Sequence, residues 1–102
     1  MFVRYIFLNG SLKMIDCGFG TFSRSDSAIN PGTIIRTNVK FNKKFNGIPI
    51  VTVSWRERNA SNYLDVISVT NMSTNGFDGA TKLTNDDSWK YTWFFTWIAI
   101  EQ

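Results

Sequence analysis

Lys90-Tyr91-Thr92-Trp93-Phe94-Phe95-Thr96-Trp97-Ile98-Ala99-Ile100 decides the fold class. Five aromatics fall in this stretch, and neither Pro nor Gly interrupts it. Aromatic and β-branched residues at this density mark a strand. Side chains alternate faces on a strand. Tyr91, Trp93, Phe95, Trp97 and Ala99 therefore share one face, and Thr92, Phe94, Thr96, Ile98 and Ile100 the other. Both faces carry bulky apolar groups. The reading is a strand covered on both sides, either between two sheets or between a sheet and a partner chain.

Outward from this stretch, strand signals recur and no window sustains a helical period. They fall at residues 11–17, 34–42, 49–57, 63–71, 76–82 and 90–101. Residues 50–55 alternate cleanly, with Val51, Val53 and Trp55 inward and Thr52, Ser54 and Arg56 outward. Pro49 opens that strand, where a missing N–H costs least. Gly18-Phe19-Gly20 reads as the end of the first strand. Residues 23–32, rich in Ser, Asn and Asp and closed by Pro31-Gly32, read as a loop. Asn75-Gly76 before Phe77 is a tight-hairpin signal of the type I′ kind. Six such strands with turn-rich spacing predict an all-β sandwich. Residues 1–10 read as an N-terminal extension or junction.

Composition narrows the function. The 102 residues make one domain, 43% hydrophobic, 16% aromatic and 19% charged, with a net charge of +3. The only basic cluster is Lys40, Lys43 and Lys44, which is explained by a solvated loop. Nucleic-acid binders carry a stronger basic stripe, so no nucleic-acid partner is expected. No apolar run reaches the ~18 residues of a membrane helix, so no membrane insertion is expected. The first eight residues lack the hydrophobic length and cleavage site of a signal peptide. The single cysteine, Cys17, reads as a small buried hydrophobe or as one half of an intermolecular bridge.

There is no histidine. Serine and cysteine triads need an imidazole base, so that chemistry is disfavoured. Asp86 and Asp87 stand in a loop, Thr84-Asn85-Asp86-Asp87-Ser88, where turn formation accounts for them. They supply too few oxygen ligands for an independent calcium site. No metal or organic cofactor is expected, and a binding module is favoured over an enzyme.

Four segments together resemble the H-type lectins, the family of the snail agglutinins and the C-terminal domain of the discoidins. They are Met14-Ile15-Asp16-Cys17-Gly18, then Val39-Lys40-Phe41 with Phe45 and Pro49-Ile50-Val51-Thr52-Val53-Ser54. Residues 69–77, ending in Gly76-Phe77, and Trp97-Ile98-Ala99-Ile100-Glu101 complete the set. The resemblance covers residues 11–102 and implies an all-β, six-stranded antiparallel β-sandwich that assembles as a trimer, with calcium-independent binding of galactose or N-acetylgalactosamine. It implies a shallow sugar site between neighbouring protomers. One wall would be the loop after the first strand, with Asp26 and Asn30 as alternative acidic-position candidates. The other wall would be the loop before the last strand of the next protomer, carrying Asn85, Asp86, Trp89 and Tyr91. The family's sugar-binding arginine aligns with Leu64, and Arg56 or Arg58 is the replacement available on the adjacent strand. The partner of the family's opening-strand cysteine falls near Thr81, so that disulfide is absent.

Each of these residues also has a structural explanation. Trp93 and Trp97 belong to the core or the trimer axis, and Trp55 to the core. Trp89 follows a polar loop, where a ring can stack on the apolar side of a sugar or pack locally. Tyr91 can be buried beside Trp93 or form a site edge, and Arg56 can be solvated. The expected partners are galactose-type glycans and further copies of the chain. The absence of a disulfide suits a phage tail or bacterial host-surface module; a cell-surface or secreted protein is the other setting. A trimerisation domain without a sugar site is the competing reading, and a nucleic-acid-binding β domain ranks last.

Overall fold

The computed structural model describes residues 3–22, 34–57, 67–82 and 93–102. Seven strands occur among them: β1 Val3–Leu8, β2 Ser11–Phe22, β3 Ile34–Lys40, β4 Ile50–Glu57, β5 Ile67–Thr70, β6 Gly76–Lys82 and β7 Trp93–Ile100. One sheet has the order β1-β2-β7-β4 and the other β3-β6-β5. All pairings are antiparallel. The two sheets face each other as a sandwich, and no described helix is long and apolar enough to cross a membrane.

The strand beyond the expected six is β1, built from the segment read as an extension. It pairs with β2 from Val3 opposite Asp16 to Leu8 opposite Ser11. The hairpin closes through Asn9 and Gly10, with φ of 50° and 79°. Two consecutive positive φ values are what a type I′ turn demands, and Asn-Gly is the pair that adopts them most readily.

β2 runs five residues past the expected end, through Gly18-Phe19-Gly20 to Phe22. These glycines do not break the strand; they let aromatic rings lie on it. A Cβ at Gly18 would stand 2.8 Å from the Trp97 ring, and one at Gly20 would overlap the Phe95 ring. Asn75-Gly76 is not a two-residue turn either. The β5–β6 connection spans residues 71–75, with Asn71 at φ 50°. Ser73 Oγ accepts the Asn75 and Gly76 N–H groups at 3.1 and 3.2 Å. Gly76 is required because a Cβ there would strike the Val39 carbonyl.

The core is aromatic. Phe22, Phe45, Phe77, Phe95 and Trp97 are buried with Met14, Val39, Phe41 and Ala99. The Trp97 ring lies 5.6 Å from Phe41 and 6.0 Å from Phe77, and Phe22 lies 5.1 Å from Phe95. Tilted and edge-on rings at these separations add to plain area burial. Val51, Val53 and Trp55 pack against this core, as alternation predicts. The alternation stops at Trp55, because β4 is bulged between Trp55 and Glu57.

Among the described residues, β7 is covered on one side only. Phe95, Trp97 and Ala99 are buried. On its other face Phe94 and Ile98 are exposed, and the neighbouring outward residues Phe19 and Ile50 are 62% and 55% exposed. Cys17, opposite Ile98, is a free, half-buried thiol on this outer face and not a core residue.

Candidate functional site

The strand ends that bracket the expected sugar-site loops gather at one end of the sandwich. In the first sheet β2 ends at Phe22, paired with Trp93 at the start of β7. β4 ends beside them, with Glu57 opposite Phe94. In the second sheet β3 begins at Ile34 opposite Lys82, the end of β6, and β5 begins at Ile67 opposite Thr81. Contacts between the layers align the two sheets. Asn42, just past β3, reaches Asp16 in β2, so the start of β3 lies toward Phe22.

Asp26 and Asn30 lie between Phe22 and Ile34, outside the described residues. Asn85, Asp86, Trp89 and Tyr91 lie between Lys82 and Trp93, likewise outside them. Arg58 and Leu64 also fall outside. Arg56 sits at the β4 bulge, where its backbone is described and its side chain is not. The backbone therefore places the flanks of the two loops side by side within one chain: Phe22, which leads into residues 23–33, is the register partner of Trp93, which follows residues 83–92. The packing of Phe22 against Trp55 at 5.8 Å and against Phe95 makes this end a firm base.

The opposite end is braced by polar contacts. Asp16 is fully buried, and its carboxylate accepts the Asn42 backbone N–H at 2.6 Å, the Asn42 side-chain amide at 2.7 Å and its neighbour Cys17 N–H at 2.9 Å. Glu101 Oε1 accepts the Met14 N–H at 2.8 Å, while Glu101 N–H donates to the Met14 carbonyl at 2.9 Å. These fix the register of the first sheet against the β3–β4 connection.

Two polar groupings were not singled out from the sequence. On the outer face of the second sheet, Asp78 accepts from Asn71 at 2.7 Å and from Asn38 at 3.0 Å. The amide donors, with Arg36 nearby, hold the Asp78 carboxyl below its ordinary value. At the braced end, Lys43 Nζ donates to the Tyr5 hydroxyl at 3.0 Å and stands 5.7 Å from the ring centre. That hydrogen bond raises the Lys43 pKa. Only cross-strand pairing could reveal the Asp78 group, since Asn38 and Asp78 are register partners 40 residues apart.

No family model and no curated protein matches this chain. Solved structures do. The recombinant discoidin II of Dictyostelium discoideum has the same fold with a TM-score of 0.73 and 21% identity, over 87% of this chain and 37% of that one. Wild-type discoidin II from the same organism gives a TM-score of 0.73 and 21% identity, over 87% and 36%. The chain thus spans little more than a third of the length of the discoidin II chains it matches. At this identity the likeness is one of fold.

Proposed function

We propose that this chain is a calcium-independent, glycan-binding lectin domain of the H-type kind, a binding module and not an enzyme. The observation that carries the reading is the pairing of Phe22 with Trp93. It roots the two segments expected to form the sugar-site walls on adjacent strands. The fold likeness to discoidin II supports the coarser part of this reading, a lectin-like β-sandwich. Asp26, Asn30, Asn85 and Asp86 would fix sugar hydroxyls, with Trp89 and Tyr91 offering an apolar face and Arg56 standing in for the arginine replaced by Leu64. Galactose and N-acetylgalactosamine are the first ligands to test.

The domain assembles, in this proposal, as a homotrimer through the outer face of the first sheet. Phe19, Ile50, Phe94 and Ile98 expose apolar surface there, interspersed with Thr21, Thr52 and Ser54. Apolar sheet faces of this kind mark association surfaces. Assembly would set the two walls of neighbouring copies against each other and raise avidity for a multivalent surface. The free thiol of Cys17 suits a phage tail or bacterial host-surface module.

Leu64 favours one competing reading, a trimerisation domain that keeps the fold without the sugar site. A glycan array probed with the assembled protein in EDTA separates the two. Binding to galactose-type glycans supports the lectin; an intact trimer silent on every glycan supports the assembly domain.

A further inference from the structure

The β1–β2 hairpin carries apolar residues past the braced end of the sandwich. The last partner of β2 in β7 is Ile100, opposite Ile15, and Glu101 reaches only as far as Met14. Among the described strands, residues 7–12 therefore pair only with each other, Phe7 opposite Leu12 and Leu8 opposite Ser11. Phe7 is 75% exposed, Leu12 55% and Leu8 42%. Alternation sets Phe7 and Leu12 on the face that continues to Tyr5 and Met14, and Leu8 on the other. The tip is thus apolar on both faces, around the Asn9-Gly10 turn. A partner protein's groove covers one face of such a ribbon; a lipid layer surrounds both.

Basic residues stand directly behind the tip. Lys13 follows Leu12, and its Nζ donates to the Gln102 main-chain oxygen at 2.9 Å. Lys43 Nζ donates to the Tyr5 hydroxyl at 3.0 Å. Tyr5 is two residues behind Phe7 on the same face, about 7 Å along the strand. Lys44 lines one recess with Tyr5 and Lys43. Glu101 lies in that recess too, with Oε1 accepting the Met14 N–H. The other charges lie further back. Asp16 is opposite Val3, fully buried and held by Asn42. Arg4 is opposite Ile15. Lys40 and Asp78 belong to the outer face of the second sheet. Among the described residues, Lys13, Lys43 and Lys44 therefore outweigh Glu101 behind the tip, and this end is positive.

We propose that the hairpin tip docks on a lipid bilayer with anionic headgroups. Phe7, Leu8 and Leu12 enter the boundary between headgroups and acyl chains, and Lys13, Lys43 and Lys44 meet the headgroups. Residues 7–12, three on each arm, reach about 10 Å. Interfacial segments sink roughly 5–10 Å, so the lengths agree. Tyr5 then falls at the level where amphipathic rings collect at membrane surfaces. This is docking on one leaflet and not a span. The end that roots residues 23–33 and 83–92 then faces away from the bilayer. The inference does not rest on the glycan-binding reading.

The test is co-sedimentation of the full-length protein with two kinds of glycolipid-free vesicle. One is phosphatidylcholine alone, the other an equal mixture of phosphatidylcholine and phosphatidylserine. The expected result is binding to the mixed vesicles that weakens at high salt, and little binding to phosphatidylcholine alone. Phe7→Ser with Leu12→Ser should melt like the parent, since both side chains are exposed, and bind about tenfold more weakly as apolar contact is lost. If that variant melts lower, Phe7→Ser alone carries the comparison. Lys43→Gln with Lys44→Gln should weaken binding to the mixed vesicles about thirtyfold, from ~1 kcal/mol for each lysine near the surface. No binding to either vesicle, equal binding to both, or binding unchanged in either variant overturns the proposal. So does light scattering that gives the parent a larger mass without lipid than Phe7→Ser with Leu12→Ser, because a second copy would then cover the tip. The vesicles carry no sugar, so failure here is distinguishable from failure of the glycan site.

Discussion

Asp16 and Asn42 tie the two sheets together across 26 residues of sequence: the backbone and side chain of Asn42 both donate to the Asp16 carboxylate, at 2.6 and 2.7 Å. Asp16 is fully buried, and its removal leaves the Asn42 and Cys17 donors without their carboxylate acceptor. Asp16→Ala should cost about 3 kcal/mol, the scale of hydrogen bonds to a buried charged group plus unsatisfied partners. Asn42→Ala keeps the backbone donor and should cost about 1 kcal/mol. Urea unfolding of both variants checks the order; equal losses would mean that the backbone bond contributes nothing.

Acid should weaken the second sheet through Asp78. The Asn71 and Asn38 amides lower its folded pKa below the ordinary 3.8. A carboxylate with a depressed folded value contributes stability above its unfolded pKa, and loses it as pH falls through the folded one. Asp78→Asn should therefore melt lower than the parent at neutral pH, and the gap should close as pH falls below about 4. Melting curves across that range test the sign; a gap that widens in acid contradicts it.

The outer face of the first sheet should hold the assembly together. Ile98→Asp places a charge in the middle of the exposed apolar surface formed with Phe94, Phe19 and Ile50. Burying an unpaired charge is prohibitive, so this variant should be a folded monomer by light scattering while the parent has the mass of a trimer. A parent that is already monomeric would remove the assembly proposal.

What was legible in the sequence follows the range of each interaction. The alternation of Val51, Val53 and Trp55 is local, and the inward face of β4 follows it. The Asn9-Gly10 turn was equally local, but its signal fell in a segment read as a junction, so β1 went unread. Gly18 and Gly20 look like strand breakers because a glycine at a turn and one beneath a ring are the same letter; only Trp97 and Phe95, far along the chain, tell them apart. Asp16 offered no sign of its role, since its partner lies in the other layer. For the candidate site, strand pairing shows which ends bracket Asp26, Asn30 and residues 85–91. Their side-chain geometry lies outside the described residues.

Calcium should have no part in binding. The acidic loop at Asp86 and Asp87 has too few oxygens for an independent site, and the proposed contacts are hydrogen bonds and stacking. Glycan binding and melting temperature should be the same in EDTA and in excess calcium; a marked loss of either in EDTA would show that an ion belongs to the fold or the site.

The most direct measurement compares Trp89→Ala with Trp97→Ala in one glycan-binding and melting assay. Trp97 is buried among Phe41 and Phe77, so its truncation should cost roughly 3–5 kcal/mol and melt or dissociate the protein. Trp89 is the ring proposed to stack on the sugar, so its truncation should leave melting and assembly intact while weakening binding by about 1 kcal/mol per site, the scale of one aromatic contact. Loss of glycan binding by a Trp89→Ala protein that melts like the parent is the predicted result. Normal glycan binding by that variant, or its unfolding, would contradict the account.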